Sequence, residues 1–156
     1  MVQTEINDDF EDLLRAFTQA SVEFVIVGAY ALAAHGVPRA TGDIDIFIRP
    51  TAANASRVVA ALHAFGAPLD AHGVTAEDFQ VPGSVYQIGL PPRRIDILTE
   101  LSGVSFDQAT ETVVDGKLGT VPVRFIGRDA FVRNKRSTGR LKDLADIEAL
   151  ESQSLK

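Results

Sequence analysis

Asp43 and Asp45 lie two positions apart in the run Asp43-Ile44-Asp45-Ile46-Phe47-Ile48, where acids and apolar residues alternate with the period of a strand. On an extended chain their side chains leave the same face with α-carbons about 6.5 to 7 Å apart, so two carboxylates can converge on one site. Two like charges so placed raise each other's pKa unless a cation neutralises them, and hard oxygen ligands select magnesium or manganese. A third acid, Asp96, stands between Ile95 and Ile97 in a second predicted strand, which could bring it beside the first two. Three carboxylates are a usual means of holding two divalent ions about 3.5 to 4 Å apart for phosphoryl or nucleotidyl transfer. Without a metal, their mutual repulsion would be expected to destabilise the fold.

A second group of residues suits a phosphate-rich ligand. Gly28 and Ala29 fall at a strand-to-helix junction, where a missing side chain lets phosphate oxygens approach backbone N–H groups. Lys135, Arg140 and Lys142 are the bases to place near the phosphates or the acceptor. The alternative is that they are surface residues pairing with Asp143, Asp146 or Glu148 at helical spacing. Arg39 either reaches the nucleotide from its loop or pairs with an acid across the site. His35, His63 and His72 have no metal-binding spacing and are read as structural. Walker, Rossmann, HExxH and EF-hand patterns are absent, which disfavours ATPase, dehydrogenase, zinc-protease and calcium-binding readings.

The elements that must position these residues follow from periodicity. Asn7 or Asp8 caps a helix with Phe10, Leu13, Leu14 and Phe17 on one apolar side. Phe24 to Val27 reads as a buried strand, Ala29 to Ala34 as a helix, and Asp43 to Ile48 as a strand with Asp43, Asp45 and Phe47 on one face. Thr51 caps a helix that Gly66 ends, and Thr75 to Phe79 adds a helical turn. Ser84 to Leu90 and Arg94 to Leu98 are strands joined at Pro91 and Pro92. Val113 to Leu118 and Thr120 to Ile126 form a hairpin, and helices over Asp129 to Arg136 and Leu141 to Leu150 end the chain. This order predicts an α+β (mixed α/β) fold: a mixed sheet with helices packed against it and two C-terminal helices. The 156 residues form one domain, 1–156, with the helical segment at about 127–151 part of it.

Net charge is −6, which argues against a protein that coats nucleic acid with its whole surface, yet the stretch from Arg124 to Lys142 is strongly basic. The chain has no cysteine, so neither disulfides nor thiolate metal sites arise. The start of the chain has no basic stretch followed by an apolar run, and no segment is apolar over the roughly 20 residues a membrane helix needs. The expectation is a cytoplasmic protein with no membrane partner, in which the sequon at Asn54-Ala55-Ser56 is unused.

Val25-Ile26-Val27-Gly28-Ala29, then Asp43-Ile44-Asp45-Ile46, then Arg94-Ile95-Asp96-Ile97, together resemble the signature of the DNA polymerase β-like nucleotidyltransferase superfamily. The stretches His35 to Gly42 and Asn134 to Ile147 are similar to small bacterial nucleotidyltransferase-like proteins, among them relatives of abortive-infection and toxin–antitoxin nucleotidyltransferases. The resemblance implies that Gly28 opens a phosphate-binding turn, that Asp43 and Asp45 bind two magnesium (or manganese) ions, and that Asp96 binds the catalytic ion and helps deprotonate the acceptor. It implies transfer of NMP from a nucleoside triphosphate, ATP included, to a tRNA end, a protein hydroxyl or a small molecule, with pyrophosphate released. RNA is then a possible acceptor, and a cognate protein partner is possible in a toxin–antitoxin or phage-defence setting. The chain departs from the pattern at Ala29, which supplies a backbone N–H but no hydroxyl, and at Gly42, where a serine is frequent and Thr41 is the nearest hydroxyl. The competing expectation is a degenerate module that binds nucleotide or a protein without transfer. A metal-dependent nuclease would share the acids but gain nothing from the glycine turn.

Overall fold

The short apolar runs pair into one mixed sheet because each is too brief and too apolar to be stable alone. The computed structural model describes residues 2–4, 6–38 and 42–154, with side chains for 6–38 and 42–153. Its elements are β1 (Val2–Thr4), α1 (Asp8–Gln19), β2 (Phe24–Val27), α2 (Gly28–Ala34), β3 (Ile44–Ile48), α3 (Ala52–Phe65) and α4 (Leu69–His72). A 3-10 turn (Ala76–Phe79) precedes β4 (Val85–Ile88), β5 (Ile95–Leu98), α5 (Phe106–Glu111), β6 (Val114–Leu118), β7 (Val121–Phe125), α6 (Arg128–Thr138) and α7 (Leu141–Ser154). The seven strands lie in the order β1-β6-β7-β2-β3-β5-β4, and the fold is α+β. β3 runs parallel to β5 and antiparallel to β2.

Local chemistry explains most boundaries. The Asn7 side chain accepts from Phe10 N–H at 3.0 Å to start α1, whose Phe10, Leu13, Leu14 and Phe17 are fully buried. Thr51 caps α3 and Gly66 ends it. The hairpin register pairs Leu118 with Val121, which puts its turn at Gly119 and Thr120. Three elements, β1, α4 and α5, had no counterpart in the periodicity reading. The strand of the paired acids begins at Ile44 instead of Asp43, and α6 runs on through Thr138 to a stop at Gly139.

Ile44, Ile46 and Ile48 are fully buried on one face of β3. On the other face Phe47 is also buried, because Phe106 of α5 packs edge-on against it with centroids 5.3 Å apart. That leaves Asp43 and Asp45 partly exposed at the N-terminal end of the strand. The C-terminal helices belong to the same core, to which they contribute Phe131 and Leu150. Among the described residues no helix is long and apolar enough to cross a membrane.

One buried polar side chain ties β2, β3 and α3 together. Asn54 is fully buried, accepts from Glu23 N–H at 2.7 Å, and donates to Glu23 O at 3.0 Å and Arg49 O at 2.9 Å. A sequon asparagine so enclosed is a structural bracket. Asn54→Ala is expected to destabilise the protein by about 2–3 kcal/mol in chemical denaturation, because it orphans several backbone groups at once. A loss below about 0.5 kcal/mol would show that water replaces the bracket.

Candidate functional site

The register of two parallel strands creates the site. Asp45 of β3 is paired directly with Asp96 of β5, so the third acid stands beside the second on the neighbouring strand. On the opposite side β3 pairs with β2, where Val27 faces Asp45 and the chain turns at once into α2. Gly28 at that turn has φ +68°, and a Cβ there would collide with the Asp45 carboxylate. Glycine is therefore required twice over: for the left-handed backbone, and for the room that lets a carboxylate lie against the main chain.

Gly28, Ala29, Asp43, Asp45 and Asp96 line a cavity of about 370 Å³. Lys135, Arg140 and Lys142 close it from α6, α7 and the turn between them. Eight of the ten residues singled out from the sequence thus meet in one place. Arg39 and Thr41 lie outside the described residues. Gly42 has a local cause: a side chain there would run into the Pro92 carbonyl, so a serine does not fit this backbone.

The cavity also contains residues that the sequence reading did not place there. Arg94 lies one side-chain period before Asp96, and its guanidinium meets both Asp96 oxygens, Nε to Oδ1 at 2.8 Å and Nη2 to Oδ2 at 3.1 Å. The same Nη2 stands 3.5 Å from Asp43 Oδ2, while the Arg94 backbone N–H donates to Asp43 Oδ1 at 3.0 Å. Asp143 and Asp146 of α7 are buried in the wall. Lys135 Nζ lies 3.3 Å from Asp143 and 3.8 Å from Asp146, and Arg140 Nε lies 2.7 Å from Asp143. The pairing of these bases with Asp143 and Asp146 is therefore present together with their place at the cavity. For Lys135 and both acids, however, it is a buried network instead of a surface one. The i, i+3 spacing of Asp143 and Asp146 was the available signal, since it puts both on one side of α7.

These contacts offset part of the repulsion expected of three gathered acids. Five carboxylates line the cavity (Asp43, Asp45, Asp96, Asp143, Asp146) against four cations (Arg94, Lys135, Arg140, Lys142), so the charge is nearly balanced by the chain itself. Asp45 keeps its proton to a higher pH than a free carboxyl does. Burial, the Asp96 charge and a hydrogen bond with Asp96 push its pKa up to about 6, with Lys135 pulling the other way. Asp143 goes in the opposite direction. Its burial is outweighed by hydrogen bonds from Arg140 and Thr138 and by the Lys135 charge, which hold it well below the usual carboxylate range.

Adjacent aspartate oxygens are hard donors of the kind that suits a divalent ion. In this conformation no three His, Asp or Glu side chains among the described residues converge as a metal cage. Arg94 engages two of the three acids instead. The histidines lie elsewhere: His35 Nε2 is 2.8 Å from Ile126 O and His72 Nδ1 is 2.9 Å from the Tyr86 hydroxyl. No family model matches the chain, and no curated protein matches it.

The raised Asp45 pKa has a definite sign. A carboxyl whose folded pKa lies above its unfolded value favours the fold below about pH 4, and that contribution is lost as pH rises through about 6. In metal-free buffer Asp45→Asn is therefore expected to stabilise the protein at pH 7.5 by on the order of 1–3 kcal/mol and to have little effect at pH 4. Thermal melts at the two pH values check this. An unchanged or lowered midpoint at pH 7.5 would contradict the assignment.

Proposed function

We propose that the chain is a magnesium-dependent nucleotidyltransferase that moves NMP from a nucleoside triphosphate to a hydroxyl acceptor and releases pyrophosphate. The observation that carries this reading is the β3–β5 register, which sets Asp45 against Asp96 beside the Gly28 turn in a cavity that Arg94, Lys135, Arg140 and Lys142 also line. It agrees with the resemblance to the polymerase β-like superfamily.

Asp43, Asp45 and Asp96 would hold the divalent ions. Bound there, the ions supply charge neutralisation for the triphosphate and activation of the acceptor oxygen. The residues of the chain do the rest. Gly28 and Ala29 offer main-chain N–H groups to a phosphate at the start of α2. Lys135, Arg140 and Lys142 provide positive charge for the departing pyrophosphate, and Asp143 with Asp146 holds the Lys135 ammonium at the cavity. The acceptor oxygen bonds to the α-phosphorus as the bond from phosphorus to the α,β-bridging oxygen breaks. Asp96 takes the hydroxyl proton. RNA ends, protein hydroxyls and small hydroxylated molecules all satisfy this chemistry, and use within a toxin–antitoxin pair or phage defence would be one biological setting for it.

One observation favours a second reading. Arg94 neutralises Asp43 and Asp96 without any metal, as a module that keeps the fold but has lost transfer would require. Thermal unfolding with each of the four NTPs, with and without magnesium, tests for the nucleotide site that the transferase reading needs. The proposed enzyme should show a magnesium-dependent rise with at least one NTP, worth roughly 2.7 kcal/mol at 100 times the dissociation constant. The Asp43→Ala/Asp45→Ala double variant should show none. If no NTP shifts the wild-type midpoint with either magnesium or manganese, the transferase reading falls and the non-catalytic one stands.

A further inference from the structure

Arg94 is placed where a cation shared by Asp43 and Asp96 would sit. Its Nη2 bridges the two carboxylates at 3.5 and 3.1 Å, and its Nε takes the second Asp96 oxygen at 2.8 Å. With the backbone N–H on Asp43 Oδ1, one residue engages all four oxygens of two would-be metal ligands. A guanidinium forked onto a carboxylate is among the stronger polar contacts available to a protein.

We propose that Arg94 is a resident cation that keeps the metal seat closed, and that a divalent ion binds by displacing its side chain. The inference rests on the reading of Asp43, Asp45 and Asp96 as metal ligands. Two observations make the device workable. The main chain of Arg94 is pinned, since its carbonyl accepts from Ile44 N–H at 3.0 Å while its N–H holds Asp43, so only the side chain has to move. That side chain is 29% exposed, so it can turn toward solvent or the cavity without unpacking the core. The arginine also lets five carboxylates share one cavity in the metal-free chain. In exchange, metal affinity is lowered by the competition, and the site fills only when the incoming charge outweighs a bidentate guanidinium.

The test is manganese binding to the full chain at pH 7.5 without nucleotide, followed by electron paramagnetic resonance, for wild type, Arg94→Gln and Arg94→Lys, with Asp45→Asn as the control for the site. Thermal melts of each protein with and without manganese accompany it. Arg94→Gln is expected to bind manganese at least about tenfold tighter than wild type, since it removes the competing cation. Arg94→Lys, which keeps a charge but loses the fork, should fall between. The metal-free midpoint should drop in Arg94→Gln and recover with manganese by more than the wild type gains. A merely structural arginine would lower the midpoint and leave affinity unchanged.

If Arg94→Gln does not fold, a tighter Arg94→Lys supports the proposal and an unchanged one overturns it. Wild-type binding that Asp45→Asn abolishes, with no gain in either Arg94 variant, overturns the displacement while the transferase reading survives. Absence of manganese binding in all the proteins overturns both.

Discussion

Two carboxylates in register on neighbouring strands must either carry a proton or be given a cation, and the arrangement around Asp45 and Asp96 follows from that constraint. The chain meets it in three ways: Asp45 holds a proton up to about pH 6, Arg94 clasps Asp96 and Asp43, and Lys135 faces Asp45 from α6. Gly28 is part of the same solution, because the Asp45 carboxyl lies against a main chain that tolerates no side chain. The site is therefore an electrostatic balance struck within the fold, and a ligand that brings divalent ions and a polyphosphate together adds nearly as much positive as negative charge to it.

The C-terminal helices extend this balance through the wall of the cavity. Lys135 is only 14% exposed and sits over the Phe131 ring at 5.3 Å, so its charge is desolvated and needs Asp143 and Asp146 to offset it. Asp143 in turn is held by Arg140 and Thr138 across the stop at Gly139. Phe131 and Leu150 anchor both helices in the core, so the ammonium is fixed relative to β3 and β5 by packing as well as by charge. Three bases of the basic segment, Lys135, Arg140 and Lys142, thus form part of the cavity wall.

Local patterns carried the parts of the fold that rest on local physics. Strand period placed Asp43 and Asp45 on one face, and capping residues at Asn7 and Thr51 marked two helix starts within a residue. α5 escaped notice although Ser105 and Gln108 form a capping box, because only six residues follow it and its one large buried apolar residue, Phe106, makes no period. The contact of Arg94 with the acids is not legible in the sequence for a different reason. Alternation shows that Arg94 shares a face with Asp96, but whether a base beside an acid is a partner or a bystander depends on the strand next door, and the β3–β5 pairing is not written in either strand alone. The same holds for Asp143 and Asp146, whose burial comes from where α7 packs. Gly42 was read as a departure from the superfamily pattern, and the Pro92 carbonyl supplies the steric reason.

The role proposed for Asp43, Asp45 and Asp96 is to hold divalent ions and a triphosphate together. Its most direct test is a crystal structure of the protein grown with manganese and a nucleoside triphosphate whose α,β-bridging oxygen is replaced by methylene, read by anomalous scattering. Manganese peaks are expected against the oxygens of all three aspartates, with the triphosphate beside Gly28 and Lys135 and the Arg94 guanidinium moved off Asp43. Manganese absent from these carboxylates, with Arg94 still bridging them while nucleotide is bound elsewhere, would contradict it.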